Sequence, residues 1–210
     1  YKDSDFEFVN AGINGELAYN VLQRFDPIIQ LDPAYVTILI GTNDVLATMN
    51  PTSAAEYMER NQLPQTPSLS WYKNNLTLMI ELLQQQTSAQ IALISLPPVS
   101  ENTSIPSFER AAKYSRIIEK LASDKNLTYL PLNETMRDVL SARPDSPMTE
   151  PTEDSKSMML SSIVDHYLLR KTWDEIANEN QLVYLTDNVH LNRKGGMVVA
   201  DLIESFLPKQ

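Results

Sequence analysis

Tyr35-Val36-Thr37-Ile38-Leu39-Ile40-Gly41-Thr42-Asn43-Asp44 decides the fold. Its first six residues are apolar or β-branched without alternation, which is the pattern of a strand covered on both faces in a parallel sheet flanked by helices. Gly41 ends the run. Upstream, 6–9 reads as a short strand closed by Asn10-Ala11-Gly12, after which Leu17, Val21, Leu22 and Phe25 recur at helical spacing. Downstream, Leu76, Met79, Ile80 and Leu83 form one stripe of a helix over 71–86, with Ser68 or Ser70 as N-cap. A buried strand over 91–96 stops at Pro97-Pro98. Phe108, Ala111, Tyr114, Ile117, Ile118 and Leu121 predict a further helix, and 127–130 a further strand. The alternation β-α-β-α implies an α/β chain with a parallel sheet between two helical layers.

Residues 142–157 break this rhythm. Pro144, Pro147 and Pro151 stand among Asp145, Glu150, Glu153 and Asp154, with acids outnumbering bases, as in an acidic surface loop. Helical spacing returns over 158–178 through Ile163, Tyr167, Leu168 and Trp173. A last short strand is expected at 182–185, and a closing helix at 197–207 through Val198, Leu202, Ile203 and Phe206. No internal repeat is visible. One domain over 1–210, with an insertion over 142–178 made of the acidic loop and a helix, is the simplest account.

The chain has 210 residues, 42% of them apolar and 21% charged, which fits one globular domain and contains no run of transmembrane length. A net charge of −10 repels phosphate backbones and anionic bilayers, so neither nucleic acid nor membrane insertion is expected. Without cysteine there is no disulfide, thiolate nucleophile or zinc-thiolate site, and the compartment stays open. Glycine is the informative count. At a usage of about 7% roughly 15 would be expected, yet only five occur, in three clusters: Gly12 and Gly15, Gly41, and Gly195 with Gly196. A chain so sparing keeps glycine where a side chain is forbidden.

Functional groups in a parallel α/β sheet gather beyond the carboxyl ends of the strands. Three turns there carry chemistry: Asn10-Ala-Gly-Ile-Asn-Gly15, Gly41-Thr-Asn-Asp44 and Asp187-Asn-Val-His190. They offer a backbone N–H at Gly15, an amide at Asn43, and an imidazole at His190 with the Asp187 carboxylate three residues earlier. Two donors and one oriented base suit acyl transfer, in which a tetrahedral oxyanion is held while a hydroxyl gives up its proton. Asn43 could instead serve its own turn, as Asn often does. Asp44 reads as a structural cap on the turn that follows. His166 reads as a helix-surface residue, and Met158, Met159, Tyr167 and Trp173 as core or lid packing, with an acyl pocket as their other reading.

These blocks resemble the SGNH or GDSL hydrolases, whose motifs run Asn-x-Gly-x-x-Gly, Gly-x-Asn-Asp and Asp-x-x-His-x-Asn. Here they appear in order as Asn10 to Gly15, Gly41 to Asp44 and Asp187 to Asn192. The resemblance covers nearly the whole chain. It implies a flavodoxin-like three-layer α/β/α fold and a serine esterase or lipase without cofactor, with Gly15 and Asn43 as oxyanion donors and Asp187 and His190 as two triad members. Small or carbohydrate-borne esters are the expected substrates.

One block is missing. The family's Gly-Asp-Ser turn has no counterpart, since Ser4 follows Lys2-Asp3 and precedes the strand expected at 6–9. A strand of about five residues at roughly 3.3 Å each would hold it some 15 Å from Gly15. The expectation is therefore an N-terminally truncated domain whose nucleophile was lost before Tyr1 or never belonged to this polypeptide. A non-catalytic module binding a small molecule or carbohydrate, descended from such a hydrolase, is the rival reading. A metal site of Asp187, His190 and Asp44 is a third; it would demand an oxygen-preferring ion. Oligomeric state is not encoded legibly.

Overall fold

The computed structural model describes residues 6–143 and 154–208. Two short helices, α1 (Ala18–Gln23) and α2 (Asp26–Gln30), lead into β1 (Tyr35–Ile38). Then come α3 (Thr42–Ala47), α4 (Pro51–Asn61), α5 (Leu69–Gln86) and β2 (Gln90–Ile94), followed by α6 (Pro106–Asp124), β3 (Thr128–Leu130) and α7 (Leu132–Ser141). Past 144–153 lie α8 (Asp154–Tyr167), α9 (Trp173–Glu179) and α10 (Arg193–Phe206). The strands make one parallel sheet in the order β1-β2-β3, with Val36 opposite Ile91 and Leu93 opposite Tyr129.

Layering follows from the two-residue period of β2. Ile91 and Leu93 enter a cluster with Leu76, Met79, Ile80 and Leu83 of α5 and Tyr114, Ile118 and Leu121 of α6. Ala92 and Ile94 enter a second cluster with Leu130, with Leu132, Met136 and Leu140 of α7, and with Val198 and Leu202 of α10 packed against it. The sheet is thus enclosed by helices on both faces. Each fully buried leucine contributes about 1.5–3 kcal/mol, and Leu83 and Leu93 are both without exposure. Ser68 caps α5 as read, accepting from Trp71 N–H at 3.2 Å.

Several elements depart from the sequence reading. Residues 6–9 join no ladder; Phe8 and Val9 are exposed, and Phe6 instead sets its ring edge-on against Tyr35 at 5.9 Å. β1 is half-buried at every position rather than covered, because it pairs with β2 alone among the described residues. The helix expected over 158–178 is two helices. Thr172 and Glu175 form a capping box that starts α9 afresh, and Arg170 just before it takes φ +58°. Residues 182–185 add no strand to the sheet and form only an isolated antiparallel bridge, Leu185 with Leu191. Their N–H groups go elsewhere, as described below. Most of the acidic loop, like Ser4, lies outside the described residues.

The glycine argument holds where it matters. Gly41 takes φ +134°, and a Cβ there would meet the Tyr72 ring at 2.8 Å; at Gly195 it would meet Tyr184 O at 2.3 Å. Gly196 is different, with nothing near it, so its lack of a side chain has no steric cause. Among the described residues no helix is long and apolar enough to cross a membrane.

Candidate active site

His190 and Asp187 form the couple that the spacing suggests. Nδ1 of His190 lies 2.8 Å from Asp187 Oδ2 and 3.1 Å from Oδ1, while Oδ1 also accepts the backbone N–H of His190 at 2.9 Å and of Val189 at 3.2 Å. An ionised carboxylate only accepts, so Nδ1 carries the proton and Nε2 is left as the base. Nε2 has no hydrogen-bond partner among the described residues, and the His190 side chain is 63% exposed. The hydrogen bond that His190 donates to Asp187 raises the imidazole pKa against the opposing effect of burial. Burial pushes the Asp187 carboxyl up, but the bonds and charge of His190, with the N–H of Val189, outweigh it and hold the group below the ordinary carboxylate value.

The loop bearing this couple is stitched at its base. Thr186 N–H donates to His190 O at 2.7 Å, and Asn192 N–H to Tyr184 O at 2.9 Å. The Asn192 side chain donates to Val183 O and Leu185 O and caps α10 by accepting from Gly195 N–H at 2.9 Å. One buried carboxylate, Glu101, accepts the three successive N–H groups of Val183, Tyr184 and Leu185. The N–H groups that a strand over 183–185 would offer to a sheet neighbour are thereby taken.

The two candidate donors line the same groove as His190. Gly15 takes φ +84° at the end of its loop. Arg24 holds that loop to α1 by donating to Ala11 O at 2.8 Å and pairing with Glu16. The Asn43 amide is fixed at both ends: Nδ2 donates to Glu16 O at 2.9 Å, and Oδ1 accepts from the Tyr57 hydroxyl at 2.9 Å. Its orientation is therefore set, and one N–H remains without a partner among the described residues. Gly15, Asn43 and His190 all line one groove of about 1310 Å³, which runs along 6–16 and the 33–43 segment and is bordered by Ile203 and Leu207. Met159 of α8 lines it as well.

Asp44 stays out of this groove. It is 2% exposed and binds Ala18 N–H at 3.0 Å, so it ties the start of α1 rather than the turn after it; burial pushes its carboxyl up to about 7 against the backbone N–H bonds that it accepts. The three-ligand metal reading gains no geometric support, since among the described residues no three His, Cys, Asp or Glu groups gather to hold an ion. His166 stacks on Trp173 at 3.8 Å and donates to Lys171 O, joining α8 to α9.

Sequence reasoning missed the wall supplied by α4. Ser53, Glu56, Tyr57 and Arg60 all line the groove, and Arg60 lies over the Tyr57 ring. Their i, i+3, i+4, i+7 spacing after the cap signal Asn50-Pro51 could have revealed this face. Glu101 sits in Val-Ser-Glu-Asn beyond the di-proline, where nothing local marks it.

The family model of the GDSL-like lipase/acylhydrolase family matches residues 2–196 of this chain. Solved structures with the same fold include the acetylxylan esterase Axe2 of Geobacillus stearothermophilus, 18% identical over 96% of this chain and 72% of that one, TM-score 0.63. Another is the acetyl xylan esterase AlAXEase, 21% identical over 97% and 82% respectively, TM-score 0.66. Among curated proteins searched by sequence, none matches.

Proposed function

This chain belongs to the GDSL-like lipase/acylhydrolase family, and on that premise we propose that its groove cleaves carboxylic esters by a serine–histidine–aspartate mechanism. The observation that carries the reading is the 2.8 Å contact of Asp187 with His190 beside a groove that Gly15 and Asn43 also line. In the first step Nε2 of His190 takes the serine hydroxyl proton while Oγ bonds to the ester carbonyl carbon. The oxyanion so formed is held by Gly15 N–H and the spare Asn43 N–H. Its collapse breaks the bond to the leaving alcohol, whose oxygen receives the proton from the imidazolium. Water then repeats the sequence on the acyl-serine and frees the acid and the serine. Asp187 fixes the tautomer and stabilises the imidazolium throughout.

The serine itself we place outside these residues, on a further strand lying along β1. Two observations support this: β1 has one strand partner among the described residues, and the groove on its other side exceeds the roughly 300–1,000 Å³ of a small-ligand pocket. The substrate class we favour is a short acyl ester on a carbohydrate. The polar α4 wall of Ser53, Glu56, Tyr57 and Arg60 suits a hydroxyl-rich alcohol, and two neighbours of the same fold are acetylxylan esterases.

The test compares the 210-residue chain with the longer gene product on p-nitrophenyl acetate and on acetylated xylo-oligosaccharides. Negligible turnover by the former, and turnover by the latter that His190→Ala removes, is the expected result. Activity in the 210-residue chain would refute the external serine. An inert longer product would refute the enzyme and leave the non-catalytic binding module.

A further inference from the structure

Glu101 follows β2, far in sequence from the loop that it meets. Its residue is 1% exposed and its carboxylate accepts four donors: Tyr184 N–H at 2.6 Å and Leu185 N–H at 2.9 Å on Oε1, Val183 N–H at 2.7 Å and Arg143 Nη1 at 3.1 Å on Oε2. A carboxylate offers about four acceptor sites, so this one is fully used. Burying an ionised carboxylate is costly unless it is so compensated, and a simple loop tie would not need a charge. The three N–H groups belong to consecutive residues with no sheet partner, and they end two residues before Asp187. The preceding residue grips the other limb of the same loop: Ser100 N–H donates to Asn188 O at 2.7 Å. Ser100 and Glu101 therefore hold the Asp187 loop on both sides of Asp187.

From this we infer that Glu101 is a positioning residue for the Asp187–His190 couple, replacing a strand partner so that the aspartate meets Nδ1 at bonding distance. The inference rests on the proposed role of that couple. Hydrogen bonds weaken steeply with misalignment, so loosening residues 183–185 lets the carboxylate drift from the ring.

The chain holds two histidines, which makes the experiment direct: imidazole resonances are followed by NMR through a pH titration, with His166→Gln assigning the pair. In Glu101→Gln the amide cannot accept from all four donors, and the His190 titration midpoint falls by a few tenths or more toward the ordinary imidazole value. Asp187→Asn lowers it further. Leu83→Ala, in the core cluster on the other face of the sheet, lowers the melting temperature and leaves the midpoint unchanged. An unmoved midpoint in Glu101→Gln with a fall in Asp187→Asn overturns the role of Glu101 and spares the couple, as does an equal fall in Leu83→Ala. No fall in Asp187→Asn refutes the couple itself. Should Glu101→Gln fail to fold, Arg143→Gln removes the outer partner of the carboxylate: a fall in the midpoint supports the inference, and an unchanged one overturns it.

Discussion

β1 and β2 have similar apolar sequences and opposite surroundings. β2 lies between two strands and two helical layers, with Ala92 and Leu93 fully buried, whereas β1 has one strand partner among the described residues and is half-exposed throughout. The difference teaches a division of labour. Packing is concentrated around β2, α5 and α6, and the candidate site groups Gly15, Asn43 and His190 line the groove along β1. A parallel edge with one strand partner among the described residues is also a template for another strand.

The largest expected effects belong to the open side and leave folding alone. In any form of the protein that turns over an ester, His190→Ala lowers kcat by about 10⁴-fold or more. Asn43→Ala lowers kcat by about 10²–10³-fold with little change in KM, since the donor acts on the oxyanion and not on the bound ester. Steady-state kinetics with parallel melting curves decide the matter. A melting temperature that collapses in either variant would mean that site and core are not separate.

Next come variants that test the packed side. Leu93→Ala in β2 is expected to cost about 2–5 kcal/mol in urea unfolding, and Val36→Ala in β1 about 1 kcal/mol or less in the 210-residue chain. Adding the upstream segment sharpens the comparison: if a strand covers β1, the Val36→Ala cost rises toward that of Leu93→Ala, and an unchanged cost refutes the strand. Asp44 adds a pH dependence. Its folded-state pKa of about 7 lies above the unfolded value, so the folded chain binds that proton more tightly. Its contribution is fully present in acid and is lost as pH rises from the ordinary carboxyl value through about 7. Asp44→Asn keeps an acceptor for Ala18 N–H, so it should gain on the order of 4 kcal/mol above that range and nothing below the ordinary carboxyl value. Equal unfolding free energies of the two proteins at high pH would defeat this account.

What was legible in the sequence tracks how local each signal is. The helical stripe of Leu76, Met79, Ile80 and Leu83 and the Asp187/His190 spacing are written within one turn or one bend, and both appear as read. Residues 182–185 look like a strand because their apolar content is strand-like, but a strand needs a neighbour, and Glu101, more than eighty positions away, takes their N–H groups instead. The segment 6–9 likewise has strand-like content but takes no strand in the sheet, and Phe6 packs its ring against Tyr35 instead. The break between α8 and α9 was local all the same: Thr172-Trp-Asp-Glu175 is a capping-box signature that the apolar spacing of 158–178 concealed.

The smallest effect probes how the open side stays ordered without a packed core. Tyr57 touches no reacting atom in the proposed mechanism; its hydroxyl donates to Asn43 Oδ1 and lies beside Arg60, while Glu16 O holds one amide N–H. Tyr57→Phe leaves that oxygen unsatisfied and lets the amide turn, so that in part of the population Oδ1 rather than N–H faces the oxyanion. A hydrogen bond of this kind is worth about 1 kcal/mol, which corresponds to a drop in kcat of about five-fold with KM unmoved. The decisive measurement is the double variant. If Tyr57 acts through Asn43, adding Tyr57→Phe to Asn43→Ala costs nothing more. If the two losses multiply, Tyr57 acts on the substrate directly or through the shape of the α4 wall, and the amide is oriented by Glu16 alone.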